Sequence, residues 1–207
     1  MALPAVARPS GSTEVNFFSN AEGHLDVTIE TDRLHIRSVE ATEKERDQYV
    51  GLFGNPEVMG KYATGETRTR EAVEKRINDI WVKRWRKGDP YSGLTVFKDD
   101  EFLGHVVLGH SDTPGQSELA YLFNPQHWHK GYGTEAVTAV VKEYAPATVE
   151  KGYLLDGKPL ERIVATARVD NPYSVRILEK VGMKRVGEEE KYGAKRHLYA
   201  MDLPKRV

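Results

Sequence analysis

Glu118 is a carboxylate in an otherwise apolar row. Between Glu118 and Phe123, Leu119, Tyr121 and Phe123 fall on one face of a strand, and Glu118, Ala120 and Leu122 on the other. A carboxylate so placed can act as a general base, or it can sit in a salt bridge or at a strand edge. After Asn124 and Pro125 end the strand, Trp128 to Thr134 (WHKGYGT) brings Gly131 and Gly133 to the mouth of a helix. The first N–H groups of a helix lack intrahelical partners, so such a mouth binds anions. Thr134 with Glu135 is expected to open that helix, and Ala136, Val137, Val140, Val141 and Tyr144 recur at helical spacing on one face. A pair of glycines two residues apart also serves ordinary turns, so the context has to carry the reading.

Other chemistries find less support. Cysteine is absent, which removes a disulfide framework, a thiol nucleophile and a cysteine-ligated metal. There are seven histidines, and His127 and His129 share a strand-like spacing, yet no carboxylate cluster and no H-E-x-x-H pattern accompany them. No metal is expected. No G-x-S-x-G elbow marks a serine hydrolase. A net charge of -1 and a pI near 6.7 give no global reason to expect a nucleic-acid partner. Hydrophobic residues make up 39% of 207 residues, and no continuous apolar run approaches a membrane span, so a soluble, cytoplasmic protein with one core is expected.

These residues need elements to position them. Residues 1–26 hold Pro, Gly, Ser and Asn without a sustained period and are expected to form a flexible or loosely docked extension, pinned by Phe17 and Phe18; the domain then covers 27–207. DRLHIRSVE from Asp32 alternates and is taken as the first strand. Glu43 to Phe53 forms a helix stopped by Gly54, Asn55 and Pro56. Thr69 to Arg86 forms a second, with Val73, Ile77, Ile80, Trp81 and Trp85 as its apolar stripe and Arg70, Glu71, Glu74, Lys75, Arg84 and Arg86 solvated. Leu94 to Phe97 and Glu101 to Leu108 make a hairpin through Lys98, Asp99 and Asp100. Residues 146–160 form an inserted connector with a turn at Asp156 and Gly157. Ile163 to Arg168 is a strand, Asn171 to Val181 a helix closed by Gly182, and His197 to Leu203 the last strand.

The segment W-x-K-G-Y-x-T-E-A, from Trp128 to Ala136, resembles the acetyl-CoA-binding motif of the Gcn5-related N-acetyltransferases (GNAT). Trp128 stands where Gln or Arg is usual, the form typical of the branch that acetylates ribosomal-protein N-termini. T-D-R-L-x-I-R from Thr31, N-P-x-V from Asn55, and N-x-x-S-x-x-x-x-E-K-x-G from Asn171 resemble the same branch. The resemblance implies an α/β fold, a mixed and mostly antiparallel sheet flanked by helices, whose splayed central strands hold acetyl-CoA. It implies Leu122, Phe123, His129, Lys130, Gly131, Tyr132, Gly133, Thr134 and Asn171 as cofactor-binding residues, and Glu118 and Ser174 as catalytic ones. Glu118 would deprotonate the amine, and Ser174 would supply a proton where Leu178 replaces the family's common tyrosine.

The implied activity is acetyl transfer from acetyl-CoA to a primary amine of a protein or peptide N-terminus. A small amine (polyamine, amino acid or aminoglycoside), or a non-catalytic CoA-binding module, are the alternatives. A monomer or homodimer is expected. Glu118 and Asp112 would give the acceptor side an acidic character that attracts an ammonium group.

Overall fold

The computed structural model describes residues 11–204. Alternation in the first part of the chain builds three antiparallel strands: β1 (Glu14–Ser19), β2 (Leu25–Glu30) and β3 (His35–Ser38). In β2 the side chains of Leu25, Val27 and Ile29 are buried and Asp26 is exposed, the period of a half-buried strand. The strand expected to be first is therefore third, and the boundary expected at residue 27 falls inside β2. Phe17 of β1 stacks on Tyr144 and Tyr153 at 5.6 and 5.7 Å, while Phe18, on the other face, is 55% exposed. Residues 1–10 of the expected extension lie outside the described residues.

Two helical layers follow. α1 (Glu43–Gly54), capped by Thr42, and α2 (Pro56–Met59), capped by Asn55, lead to α3 (Arg70–Arg76), capped by Thr69. α3 runs through a π segment (Ile77–Val82) into α4 (Lys83–Trp85). Val73, Ile77, Trp81 and Trp85 stand four residues apart and are all buried. An ordinary α-helix would rotate that series progressively off one face, and the wider π turn corrects the drift. Ile80 leaves the expected stripe for the same reason and is exposed.

β4 (Gly93–Lys98), β5 (Glu101–His110) and β6 (Gln116–Phe123) form an antiparallel meander. α5 (Tyr132–Ala139) continues through a π segment (Val140–Tyr144) into α6 (Ala145–Glu150). Residues 146–160 carry most of α6 and a small hairpin of β7 (Leu154–Leu155) and β8 (Lys158–Pro159). β9 (Arg162–Arg168), α7 (Pro172–Lys180), β10 (Lys184–Lys191) and β11 (Ala194–Asp202) complete the chain.

Nine strands join in the order β1-β2-β3-β4-β5-β6-β9-β11-β10. All neighbours are antiparallel except β6 and β9, whose parallel pairing covers Gln116–Glu118 against Arg162–Val164 and then stops. β6 runs on to Phe123 and β9 to Arg168, so a gap opens in the middle of the sheet. One apolar cluster packs α5, α6 and α7 on one face and also takes in Trp85 of α4, and a second packs α1 to α3 and the π segment after α3 on the other. Among the described residues no helix is long and apolar enough to cross a membrane.

His105 of β5 lies in the second layer with its ring 5.1 Å from Trp81, 5.3 Å from Phe53 and 5.4 Å from Tyr49. It is fully buried, and neither ring nitrogen has a hydrogen-bond partner among the described residues. Burial first, and the Arg76 charge second, pull its pKa down to about 3. Unfolded, the ring titrates near 6.5. Between those values only the unfolded chain binds the proton, so stability is intact above about pH 6.5 and falls as pH drops toward 3. The expected loss at pH 5 is about 2 kcal/mol, read by urea unfolding at pH 7 and pH 5. His105→Leu should remove that difference; an equal loss in parent and variant would refute it.

Candidate active site

The gap between β6 and β9 exposes backbone. Along an antiparallel strand, successive residues turn their N–H and C=O groups to opposite neighbours. The Asn124 N–H donates to Leu103 C=O at 2.8 Å. In this register Leu122 and Ala120 also face β5, while Tyr121 and Phe123 direct their peptide groups into the gap. Leu122 therefore reaches the cleft through its side chain. The Phe123 C=O accepts from the Trp128 indole N–H at 2.7 Å, which anchors the loop after β6 to the end of the strand. β5 lies close beneath: a Cβ at Gly104 would stand 2.1 Å from the Leu122 carbonyl oxygen, so only glycine fits.

The helix mouth lies just beyond. Gly131 caps α5 with φ 83°, a left-handed conformation, and the helix starts at Tyr132. Thr134 and Glu135 thus sit inside the first turn and do not open it. No side chain caps α5, whereas Thr42, Thr69 and Asn171 cap α1, α3 and α7. Its leading N–H groups are left open beside the exposed His129, Lys130 and Gly131. Glu135 is committed elsewhere: Oε1 accepts from the Thr31 hydroxyl at 2.6 Å and the Arg33 N–H at 3.1 Å, and Oε2 from Arg33 Nε at 2.7 Å. Arg33 also donates to Lys130 C=O at 3.1 Å and lies 4.7 Å over the Tyr132 ring. The T-D-R-L and G-Y-x-T-E motifs are two halves of one clamp. Gly133 is closed in by Ile177 and Phe123, which lets α5, α7 and β6 approach.

On the side of α2 to α4, the gap opens into a cleft of about 330 Å³ lined by Glu118, Tyr62, Trp81, Tyr121, Asn171 and Ser174. Glu118 lies on the last paired rung of β6 and is exposed. The Ser174 and Tyr121 hydroxyls are 2.8 Å apart, and the Tyr121 hydroxyl also donates to the Ser174 carbonyl at 3.2 Å. Burial raises the Tyr121 pKa, against a smaller lowering by Ser174, so the phenol keeps its proton. Asn171 Oδ1 accepts from the Ser174 N–H at 3.2 Å, capping α7. Leu178 is fully buried in the core. Sequence reasoning put Tyr121 on an apolar strand face and missed it; the signal was a hydroxyl in a row of hydrocarbon side chains.

The expected acidic character of the acceptor side is overturned. Lys61, Arg68, Arg76, Arg84, Arg168 and Arg196 line the cleft, with Glu118 as its one carboxylate among the described residues, and Asp112 lies outside it. These cations come from α2–α4 and their flanks and from β9 and β11, elements far apart in the chain. As for histidines, His127 is buried 3.5 Å from Glu101, while His129 is exposed against Tyr173. The described residues hold no group of three or more metal-capable side chains.

Residues 33–184 match the acetyltransferase (GNAT) domain family. The chain is 29% identical over 161 residues to an uncharacterized N-acetyltransferase, YnaD, of Bacillus subtilis, covering 77% of this chain and 84% of that protein. A solved acetyltransferase of the GNAT family from Bacillus anthracis superposes with a TM-score of 0.67 at 24% identity, over 84% of this chain and 98% of that one. RimL, a ribosomal L7/L12 alpha-N-protein acetyltransferase solved with coenzyme A, superposes with a TM-score of 0.66 at 17% identity, over 84% and 96%. The chain belongs to the GNAT acetyltransferase family, and it is an acyltransferase that uses acetyl-CoA.

The residues present fit that donor. The α5 mouth is uncapped, and a Cβ at Gly131 would press on the Arg33 guanidinium at 3.3 Å. The Arg33–Glu135 clamp fixes this mouth, so Arg33→Ala should raise the acetyl-CoA Kd about tenfold, or about 1.4 kcal/mol. Titration calorimetry checks this, and an unchanged Kd would separate the clamp from cofactor binding.

Proposed function

We propose that this protein moves an acetyl group from acetyl-CoA to the primary amine at the amino end of a peptide or protein. The observation that carries the reading is the β6–β9 gap, which joins the uncapped α5 mouth to a cleft holding Glu118. Acetyl-CoA supplies the acetyl group as a thioester. Glu118 takes a proton from the amine so that its lone pair is free to form the new C–N bond. The backbone of Tyr121 and Phe123 supplies N–H groups at the gap, where donors stabilise charge developing on a carbonyl oxygen. As the C–N bond forms the nitrogen sheds its second surplus proton, and Ser174, hydrogen-bonded to Tyr121, relays it to the sulfur as the C–S bond breaks. That hydroxyl pair stands in for the tyrosine that Leu178 replaces, and it argues against a module without catalysis.

The N-terminal reading is supported by the likeness to RimL and by the form of the cleft. Its mouth is open at Lys61, Ile80 and Tyr192, all exposed, so a chain can leave it. Lys61 and Arg168 are paired with Asp170 and Arg84 lies near Asp89, but Arg68, Arg76 and Arg196 have no carboxylate partner among the described residues, and this excess of positive charge disfavours polycationic acceptors such as polyamines and aminoglycosides.

Glu118→Gln should lower kcat by about 10² to 10⁴ while leaving acetyl-CoA affinity in place, since a base acts on the amine. Ser174→Ala and Tyr121→Phe should each lower kcat, and the double variant should lose little more than the worse single, because the two act as one unit. Release of free thiol, followed with short peptides beginning Ser, Ala or Met and with their N-terminally blocked forms, tests the acceptor. If blocked, lysine-free peptides react as fast as free ones, or only small amines react, the N-terminal reading fails.

A further inference from the structure

Several guanidinium groups elsewhere on this protein face carboxylates: Arg33 pairs with Glu135, Arg37 with Glu45, Arg70 with Asp47 and Glu74, and Arg162 with Asp202, while Arg46, also with a buried Nε that has no partner, donates to Asn78 Oδ1 at 3.1 Å. In the cleft some cations follow the pattern and others do not. Lys61 and Arg168 share Asp170, and Arg84 lies 4.0 Å from Asp89. Arg196 is buried and spends its guanidinium on the carbonyls of Ala63 and Lys191, at 2.7 and 3.3 Å. Arg68 and Arg76 have no ion-pair partner among the described residues, and the Nε of each is buried without a hydrogen bond. Burying a charged donor unsatisfied costs about 1–3 kcal/mol or more, so two of them in one cleft call for an explanation.

Both groups are held ready. Arg76 lies 5.5 Å over the Trp81 ring and Arg68 5.8 Å over the Phe53 ring, which limits the freedom they would lose on binding. The half-buried Tyr62 ties them to the reacting corner: burial raises its phenol pKa most, Arg76 and Arg68 lower it, and Glu118 raises it again. Both guanidiniums and the Glu118 carboxylate therefore act on the same small region.

We infer that the acceptor carries an oxyanion, a carboxylate or phosphate, within a residue or two of its reacting amine, and that Arg68 and Arg76 bind it. This rests on the acetyltransferase reading above. The planar fork of arginine binds either oxyanion by donating paired N–H···O bonds, and such an anion would offset the cleft's positive charge. It would also hold the amine beside Glu118.

The test is a set of lysine-free peptides sharing an N-terminal serine and differing only in the next two positions: Glu-Glu, phosphoserine-Gln, Gln-Gln or Arg-Arg. At low ionic strength the KM for an anionic peptide should lie at least about tenfold below that for Gln-Gln, with Arg-Arg weaker still, and the spread should narrow with added salt. The carboxylate and phosphate arms show which oxyanion is preferred. Arg68→Gln and Arg76→Gln should each erase about tenfold of the preference while acetyl-CoA affinity stays put, and Arg76→Lys should recover part of it. Equal KM values for the acidic and neutral peptides overturn the inference and leave the acetyltransferase reading standing. Calorimetric titration of the same peptides into the CoA-loaded protein reads the preference without turnover. Equal affinities there overturn it too, whereas absence of acetyl transfer to every amine sinks the underlying reading separately.

Discussion

The parting of β6 from β9 after three paired rungs is the constraint on which the rest of the structure depends. Two parallel neighbours cannot be joined by a tight turn, so the chain must cross over, and here it crosses through α5 and α6. That crossover starts where β6 ends, so the helix mouth and the open backbone of Tyr121 and Phe123 arise from one topological step. A sheet gap would normally leave unpaired peptide groups at a cost. In this fold those groups line a cleft.

Keeping the gap open without letting the sheet come apart falls to a few close contacts. Trp128 holds the loop to the Phe123 carbonyl, Gly104 lets β5 lie against the last rungs of β6, and Gly133 lets α7 approach α5. The Arg33–Glu135 clamp reaches across from the β2–β3 turn to the first turn of α5. Because Glu135 is engaged by Thr31 and Arg33, it does not fold back to cap its own helix, and the mouth keeps its free donors. A carboxylate in the first turn thus favours the helix without blocking the anion site.

Local periodicity and glycine placement made much of this legible from the sequence. The meander β4–β5–β6, the helix after Gly131 and the α7 segment between Asn171 and Gly182 were each readable from alternation, helical spacing or caps. β1 and β2 were not, because Pro, Gly, Ser and Asn before residue 27 hid the alternation of Leu25, Val27 and Ile29. β10, with the sequence KRVGEEEK, carries charges on both faces of an edge strand and so lacks an apolar period. The π segments also escaped notice, since they differ from α-helix only in how a stripe drifts. Of the residues that line the cleft, Glu118 and Ser174 stood out in the sequence, but Tyr121 and the arginines did not. Arg84 looked like a member of a solvated helix face, and nothing local announces that Arg76, Arg168 and Arg196 converge.

That convergence bears on the chemistry as well as on recognition. An amine attacks only when neutral, and a nearby positive field disfavours its ammonium form. Clustered guanidiniums around the cleft therefore push a bound amine toward the reactive state, while Glu118 offers the proton a place to go. The same field acts inward, since Arg76 adds to burial in keeping His105 uncharged beneath the cleft floor. A cleft this positive holds a lone ammonium poorly, so the binding energy for the acceptor has to come from another part of the molecule. An oxyanion a short distance along the acceptor meets that need and leaves the amine free to lose its proton.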